Sequence, residues 1–84
     1  MKLRILYFAS LHEILGCDAE NIDPPPNITT LSELRQWLAG RGGPWQVLAE
    51  RDDLRMARNQ KVARPESRLM DGDEVAFFPP VTGG

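Results

Sequence analysis

The sequence predicts an α+β domain in two layers, with a mixed sheet of four to five short strands packed on one main helix. Three observations predict it. Leu31, Leu34 and Leu38 recur at i, i+3 and i+7, the spacing of one helical face. Short stretches of strand character stand on both sides of that helix, the clearest at Lys2–Ala9 and Glu74–Phe78. The 84 residues leave room for one small core and no second domain.

Each element has its own local cause. In Lys2–Ala9, Leu3, Ile5 and Tyr7 point one way and Arg4, Leu6 and Phe8 the other. Ser10-Leu11-His12-Glu13 has the spacing of a capping box, and Gly16 is placed to end a short helical turn. Asp18–Ile22 is expected as a second strand, closed by Pro24-Pro25-Pro26, which has no amide donors for a ladder. Thr30-Leu31-Ser32-Glu33 is a second capping box, so the main helix is expected over Leu31–Ala39. Gly40, Gly42, Gly43 and Pro44 end it, with glycine supplying a left-handed terminus. Trp45–Glu50 reads as an irregular turn or a short helix. Leu54–Asn59 alternates as a strand, Lys61–Ala63 adds a short piece, and Asp71-Gly72-Asp73 turns the chain into Glu74–Phe78.

In the last strand Val75 and Phe77 share one face, and Glu74, Ala76 and Phe78 the other. Arg4 and Glu74 mark the solvent side of the first and last strands. If these strands are neighbours, Leu6, Phe8, Ala76 and Phe78 form an uncovered apolar patch, the kind of surface that binds another protein.

Composition narrows the function. With 42% hydrophobic and 26% charged residues the chain is expected to fold. Ten basic against twelve acidic side chains give a net charge of −2, which lacks the positive field that nucleic-acid binding needs. The longest apolar run, Ile5–Ala9, is far short of the roughly 20 residues that span a bilayer, so no membrane segment is expected. Lys2 and Arg4 before that run do not make a secretory signal, because His12 and Glu13 interrupt it and no A-x-A site follows. Cys17 is the single cysteine and closes no internal disulfide, which fits a reducing compartment; the cytoplasm is the expected location. One histidine and one cysteine argue against a protein-only catalytic zinc site, and no metal is expected.

Several residues invite chemistry that plainer roles explain. Cys17 has no Cys-x-x-Cys partner and reads as structural. Asp71-Gly72-Asp73-Glu74 lacks the EF-hand pattern and reads as a β-turn. Arg51, Arg55, Arg58, Lys61, Arg64 and Arg68, diluted by Asp52, Asp53 and Glu66, read as a solvated face, with docking to an acidic partner as the sharper alternative. Trp37 and Trp45 flank the glycine-rich helix end and read as packing.

The carboxyl end is the most informative segment. Residues 1–78 are expected to form the domain and 79–84 an extended, projecting tail. Pro79 and Pro80 hold its root near the polyproline conformation, and Val81–Gly84 fully extended reaches about 14 Å. Gly83 and Gly84 have no Cβ, so they fit a channel too narrow for side chains and leave the terminal carboxylate unhindered for activation.

The run Asp71-Gly72-Asp73-Glu74-Val75-Ala76-Phe77-Phe78-Pro79-Pro80-Val81-Thr82-Gly83-Gly84 resembles the carboxyl end of the small, sulfur-carrying subunits of molybdopterin synthase. Tyr7-Phe8-Ala9-Ser10-Leu11-His12-Glu13-Ile14-Leu15-Gly16 and Ala57-Arg58-Asn59-Gln60 are similar to the same family. The middle, from Cys17 to Leu54, matches mainly in helix placement.

This resemblance implies a β-grasp, ubiquitin-like fold and a carrier that is no enzyme by itself. An ATP-dependent activating enzyme would adenylate Gly84, and a sulfur donor protein would convert it to a thiocarboxylate. The large subunit of the synthase would then receive the tail and pass the sulfur to a pterin precursor in molybdenum cofactor biosynthesis, within a heterotetramer. No cofactor is bound by the chain itself. The resemblance carries Gly84 as covalent carrier and Gly83 as tail, with Phe8, Phe78, Pro79, Pro80, Val81, Thr82 and His12 as partner contacts. His12 stands where the family often has arginine, and Arg58 where it usually has an apolar residue. Three other readings share these features: a ubiquitin-like modifier joined through Gly84 to a lysine, a sulfur carrier for thiazole synthesis, and a binding module whose tail is never activated. The Phe-Phe-Pro-Pro shoulder argues for the molybdopterin branch.

Overall fold

The computed structural model describes residues 1–80. Its elements follow in the order β1 (Leu3–Tyr7), α1 (Ser10–Leu15), β2 (Ala19–Ile22), α2 (Leu31–Ala39), a 3₁₀ turn (Gly43–Gln46), α3 (Val47–Glu50), β3 (Arg55–Arg58), β4 (Lys61–Ala63) and β5 (Glu74–Phe78). The strands form one mixed sheet in the order β2-β1-β5-β3-β4. β1 and β5 are parallel at its centre, and the other pairs are antiparallel. This is the β-grasp arrangement, with the first and last strands adjacent as the patch argument required.

Period-two alternation sends Leu3, Ile5, Tyr7, Met56, Val75 and Phe77 to one side, where all are buried. Leu31, Leu34 and Leu38 of α2 meet them with no exposed surface, joined by Leu11 and Leu48. The capping box at α2 forms in full: the Thr30 side chain accepts from the Glu33 amide, and Glu33 Oε1 accepts from the Thr30 amide at 3.0 Å.

Two local expectations are corrected. Ser10 does not cap α1. Phe8 extends the ladder by donating its N–H to the Phe77 carbonyl at 3.1 Å, so the chain must reverse at Ala9, whose φ of 56° and ψ of −130° put it in the N-cap position. Ser10 is then the first helical residue, and its hydroxyl accepts from Arg51 at 3.3 Å instead. At the end of α2, Gly40 is right-handed (φ −66°), and the left-handed backbone falls later, at Gly42 (φ 79°) and Gly43 (φ 57°). Gly16 does take the left-handed conformation expected of it, with φ 67°.

Polar braces hold the sheet to its surroundings. The buried Tyr7 hydroxyl donates to Glu20 at 2.9 Å, and Arg41 binds the same carboxylate through two donors at 2.9 and 3.0 Å. Burial and the Glu20 acceptor raise the Tyr7 pKa far above its ordinary value. Burial alone would raise Glu20, but the Arg41 and Tyr7 donors outweigh it and hold the carboxyl below its usual range. The Arg41 guanidinium lies over the Trp45 ring, 4.4 Å from its centroid, which accounts for Trp45 beside the glycine-rich loop. Arg35 donates to the Leu48 and Arg51 carbonyls, tying α3 to α2.

Asp73 is the one buried charged residue among those described, at 6% exposure. Its carboxylate accepts from Arg58 at 2.7 Å, from the Asn59 side chain at 2.9 Å and from the Met70 amide at 2.8 Å. Arg58, which replaces an apolar residue in the resemblance, is thereby explained: it pairs with the aspartate of the turn before β5. Burial pushes the Asp73 pKa up, and the three donors more than reverse this, leaving it below the ordinary aspartate value. The native state therefore releases the proton more readily than the unfolded chain. The stabilisation is complete above the ordinary pKa of about 3.9 and is lost as pH falls toward the depressed native value. Asp73→Ala is expected to cost about 2 to 4 kcal/mol, because three donors lose their acceptor. Urea denaturation at pH 7 and below pH 4 checks both points: the difference between wild type and variant should shrink in acid.

Candidate functional site

The sheet face away from α2 carries the site. Register places Leu6 beside Ala19 of β2 and beside Ala76 of β5, Ala76 beside Ala57 of β3, and Ala57 beside Val62 of β4. An apolar row thus crosses all five strands. Val62 at its edge is 73% exposed. On one side of this row lie Arg4, hydrogen-bonded to Asn21, and its cross-strand partner Glu74, which keep that end polar. On the other side, one step past the Tyr7↔Phe77 pair, are Phe8 and Phe78.

Beneath this aromatic pair the core fixes the geometry. Tyr7 and Phe77 stack with centroids 6.1 Å apart and planes 12° from parallel, and Tyr7 meets Trp45 edge-on at 5.4 Å. Because side chains alternate, Tyr7 and Phe77 anchored in the core oblige Phe8 and Phe78 to stand on the open face. Phe8 is 49% exposed, and Leu6, Ala76 and Phe78 are half-buried. The Phe8 N–H bond to Phe77 and its carbonyl, which accepts from Leu11 at 3.2 Å, hold this residue on both sides.

The site residues expected from sequence divide into three groups. Phe8 and Phe78 come together as predicted, with Leu6 and Ala76 beside them. Pro79 and Pro80 follow β5 directly and are half-buried. His12 is exposed on α1, and no hydrogen bond or ion pair joins its ring to the described residues. Val81, Thr82, Gly83 and Gly84 lie outside the described residues. The sequence reading missed Ala19, Ala57 and Val62. Their alternation was visible, but which face they join depends on strand order.

Cys17 donates to the Ala19 carbonyl at 3.3 Å and is half-buried, a packing role. Among the described residues no three of His, Cys, Asp and Glu converge as a metal site, and no helix is long and apolar enough to cross a membrane. Among the described residues the face presents apolar surface of the kind that docks a protein.

Comparison with known proteins agrees with this architecture. Residues 5–84 match the ThiS family. A molybdopterin synthase sulfur carrier subunit from Haemophilus influenzae is 40% identical over 82 residues, covering 98% of this chain and 99% of that protein. Among solved structures, a putative molybdopterin converting factor, subunit 1, from Pyrococcus furiosus superposes with a TM-score of 0.81 at 27% identity, covering 96% of this chain and 99% of the other. SAMP1, the small archaeal modifier protein 1, from Haloferax volcanii superposes with a TM-score of 0.78 at 26% identity over 100% of both chains.

Proposed function

This chain belongs to the ThiS family, and from that premise we propose that it is the sulfur carrier subunit of molybdopterin synthase, with Gly84 as the carrier. The observation that carries the reading is a continuity: β5 both completes the open apolar face with Phe78 and leads, through Pro79 and Pro80, toward Gly83-Gly84. A partner that covers Phe8 and Phe78 therefore receives the tail from the strand it has gripped. The full-length likeness to a molybdopterin synthase sulfur carrier subunit supports the same role.

The chemistry follows from the carboxylate. Its oxygen attacks the α-phosphorus of ATP in an activating enzyme, pyrophosphate leaves, and an acyl adenylate forms. The outer sulfur of a donor protein's persulfide attacks the acyl carbon and AMP departs. A thiol reductant then cleaves the sulfur–sulfur bond, leaving the thiocarboxylate on Gly84. In the large subunit this sulfur attacks a side-chain carbon of the pterin precursor and displaces an oxygen substituent there, water cleaves the acyl–sulfur bond to restore the carboxylate, and a second charged chain repeats the transfer at the neighbouring carbon. The chain contributes a covalently held nucleophile and its delivery, while the partner supplies acid, base and substrate binding. ATP is consumed by the activating enzyme, and the carrier has no cofactor of its own. The working assembly is two carriers on a dimer of large subunits, in the cytoplasm.

A second reading, as a protein modifier joined to lysine through Gly84, is favoured by the likeness to SAMP1. Single-turnover reconstitution separates the two. Thiocarboxylated chain, large subunit and pterin precursor should give one dithiolene for every two thiocarboxylates consumed. Isopeptide adducts on lysines with no dithiolene would establish the modifier instead.

A further inference from the structure

Register also places charge beside the aromatic pair. Arg55 of β3 lies directly opposite Phe78 of β5. The β3–β4 register pairs Met56 with Ala63, where β4 ends, and Arg64 follows directly as the chain turns. Arg55 thus stands beside the Phe8 and Phe78 pair at the tail end of the open face, with Arg64 just past the end of the neighbouring strand.

The other arginines near the sheet are committed within the domain. Arg41 binds Glu20, Arg51 binds Asp53, Arg58 binds Asp73, and Arg4 bonds Asn21 with Glu74 as its cross-strand neighbour. Arg55 is exposed and has no hydrogen bond or ion pair from its side chain among the described residues. Arg64 reaches only Glu66, at 4.0 Å, with the two side chains 86% and 71% exposed. Such a pair in water holds neither group firmly. Arg68 also lacks an ion pair, but it is bridged to Thr30 beside the start of α2. A chain of net charge −2 therefore leaves Arg55 and Arg64 uncommitted beside the aromatic end of its apolar docking face.

We propose that Arg55 and Arg64 form a basic flank that recognises carboxylates bordering the pocket for Phe8 and Phe78 on the large subunit. This inference rests on the proposed function, since it takes the same partner to the same face. The aromatic pair supplies apolar burial, while the arginines accelerate encounter and set orientation, as charges at the rim of an interface do.

The test uses the full chain carrying Arg55→Glu and Arg64→Glu together, with association to the large subunit followed by stopped-flow fluorescence. At low ionic strength, about 50 mM salt, the double variant is expected to associate about tenfold more slowly than wild type. At about 500 mM salt the two rates should converge to within about twofold, because screening removes the steering. Arg55→Gln with Arg64→Gln should give an intermediate rate, and unchanged melting of both variants shows them folded. Equal rates at low salt, or an equal deficit at both salts, would overturn the basic flank. Phe78→Asp run in parallel separates the two claims: if it weakens binding while the arginine variants behave as wild type, the flank alone fails. If wild type binds no large subunit, the proposed function and the flank fail together.

Discussion

Deleting Gly84 is expected to lower sulfur transfer by at least about 100-fold while leaving the melting temperature of the domain unchanged. The truncated chain still ends in a glycine carboxylate, that of Gly83, so the loss does not come from removing the functional group. It comes from reach: one residue of extended chain spans about 3.5 Å, and a displacement of 1 Å at a reacting centre costs about 100-fold. Folding is indifferent to the deletion because Phe77 is the last buried core residue among those described, and Asp73, which braces the turn before β5, lies upstream. Single-turnover dithiolene formation and thermal melting, measured on the same preparation, check both halves. Normal turnover by the truncated chain would remove Gly84 from the chemistry.

Phe78→Asp is expected to weaken binding to the large subunit by at least about 100-fold. Burying a phenylalanine side chain contributes about 1.5 to 3 kcal/mol, and a carboxylate left in its place must be desolvated against an apolar surface. The sum exceeds the 2.7 kcal/mol or so that corresponds to 100-fold. The fold should tolerate the change, because Phe78 is half-buried on the open face and its cross-strand neighbour is Arg55. Titration calorimetry reports the affinity and circular dichroism the melting. Unchanged affinity would take Phe78 out of the interface. Phe8→Asp is expected to behave in the same way, and Val62→Asp more mildly, since Val62 sits at the sheet edge.

The parts that sequence made readable are those in which local chemistry and global packing agree. Thr30 and Glu33 cap a helix whose leucines then fall on one face, so α2 is found over the expected range Leu31–Ala39. Alternation in β1 and β5 assigned Tyr7 and Phe77 to the core and Phe8 and Phe78 to the open face, and burial follows that assignment. What failed was chemistry decided by a distant partner. The Ser10-x-x-Glu13 spacing is that of a capping box, yet the ladder bond from Phe8 to Phe77 moves the helix start by one residue and leaves Ala9 to make the turn. Arg58 looked out of place in a strand until the turn residue Asp73 came beside it in space. The apolar row from Ala19 to Val62 and the place of Arg55 beside Phe78 depend on strand order and register, which alternation within one strand does not contain.

The central claim is that Gly84 carries sulfur as a thiocarboxylate. Intact-mass spectrometry of the chain after incubation with its activating enzyme, ATP and a persulfide donor tests it most directly. The account predicts a gain of about 16 Da, the exchange of one oxygen for sulfur, localised to Gly84 by fragmentation. An unmodified mass with a validated activator and donor, or a gain placed on Cys17 instead, would contradict it.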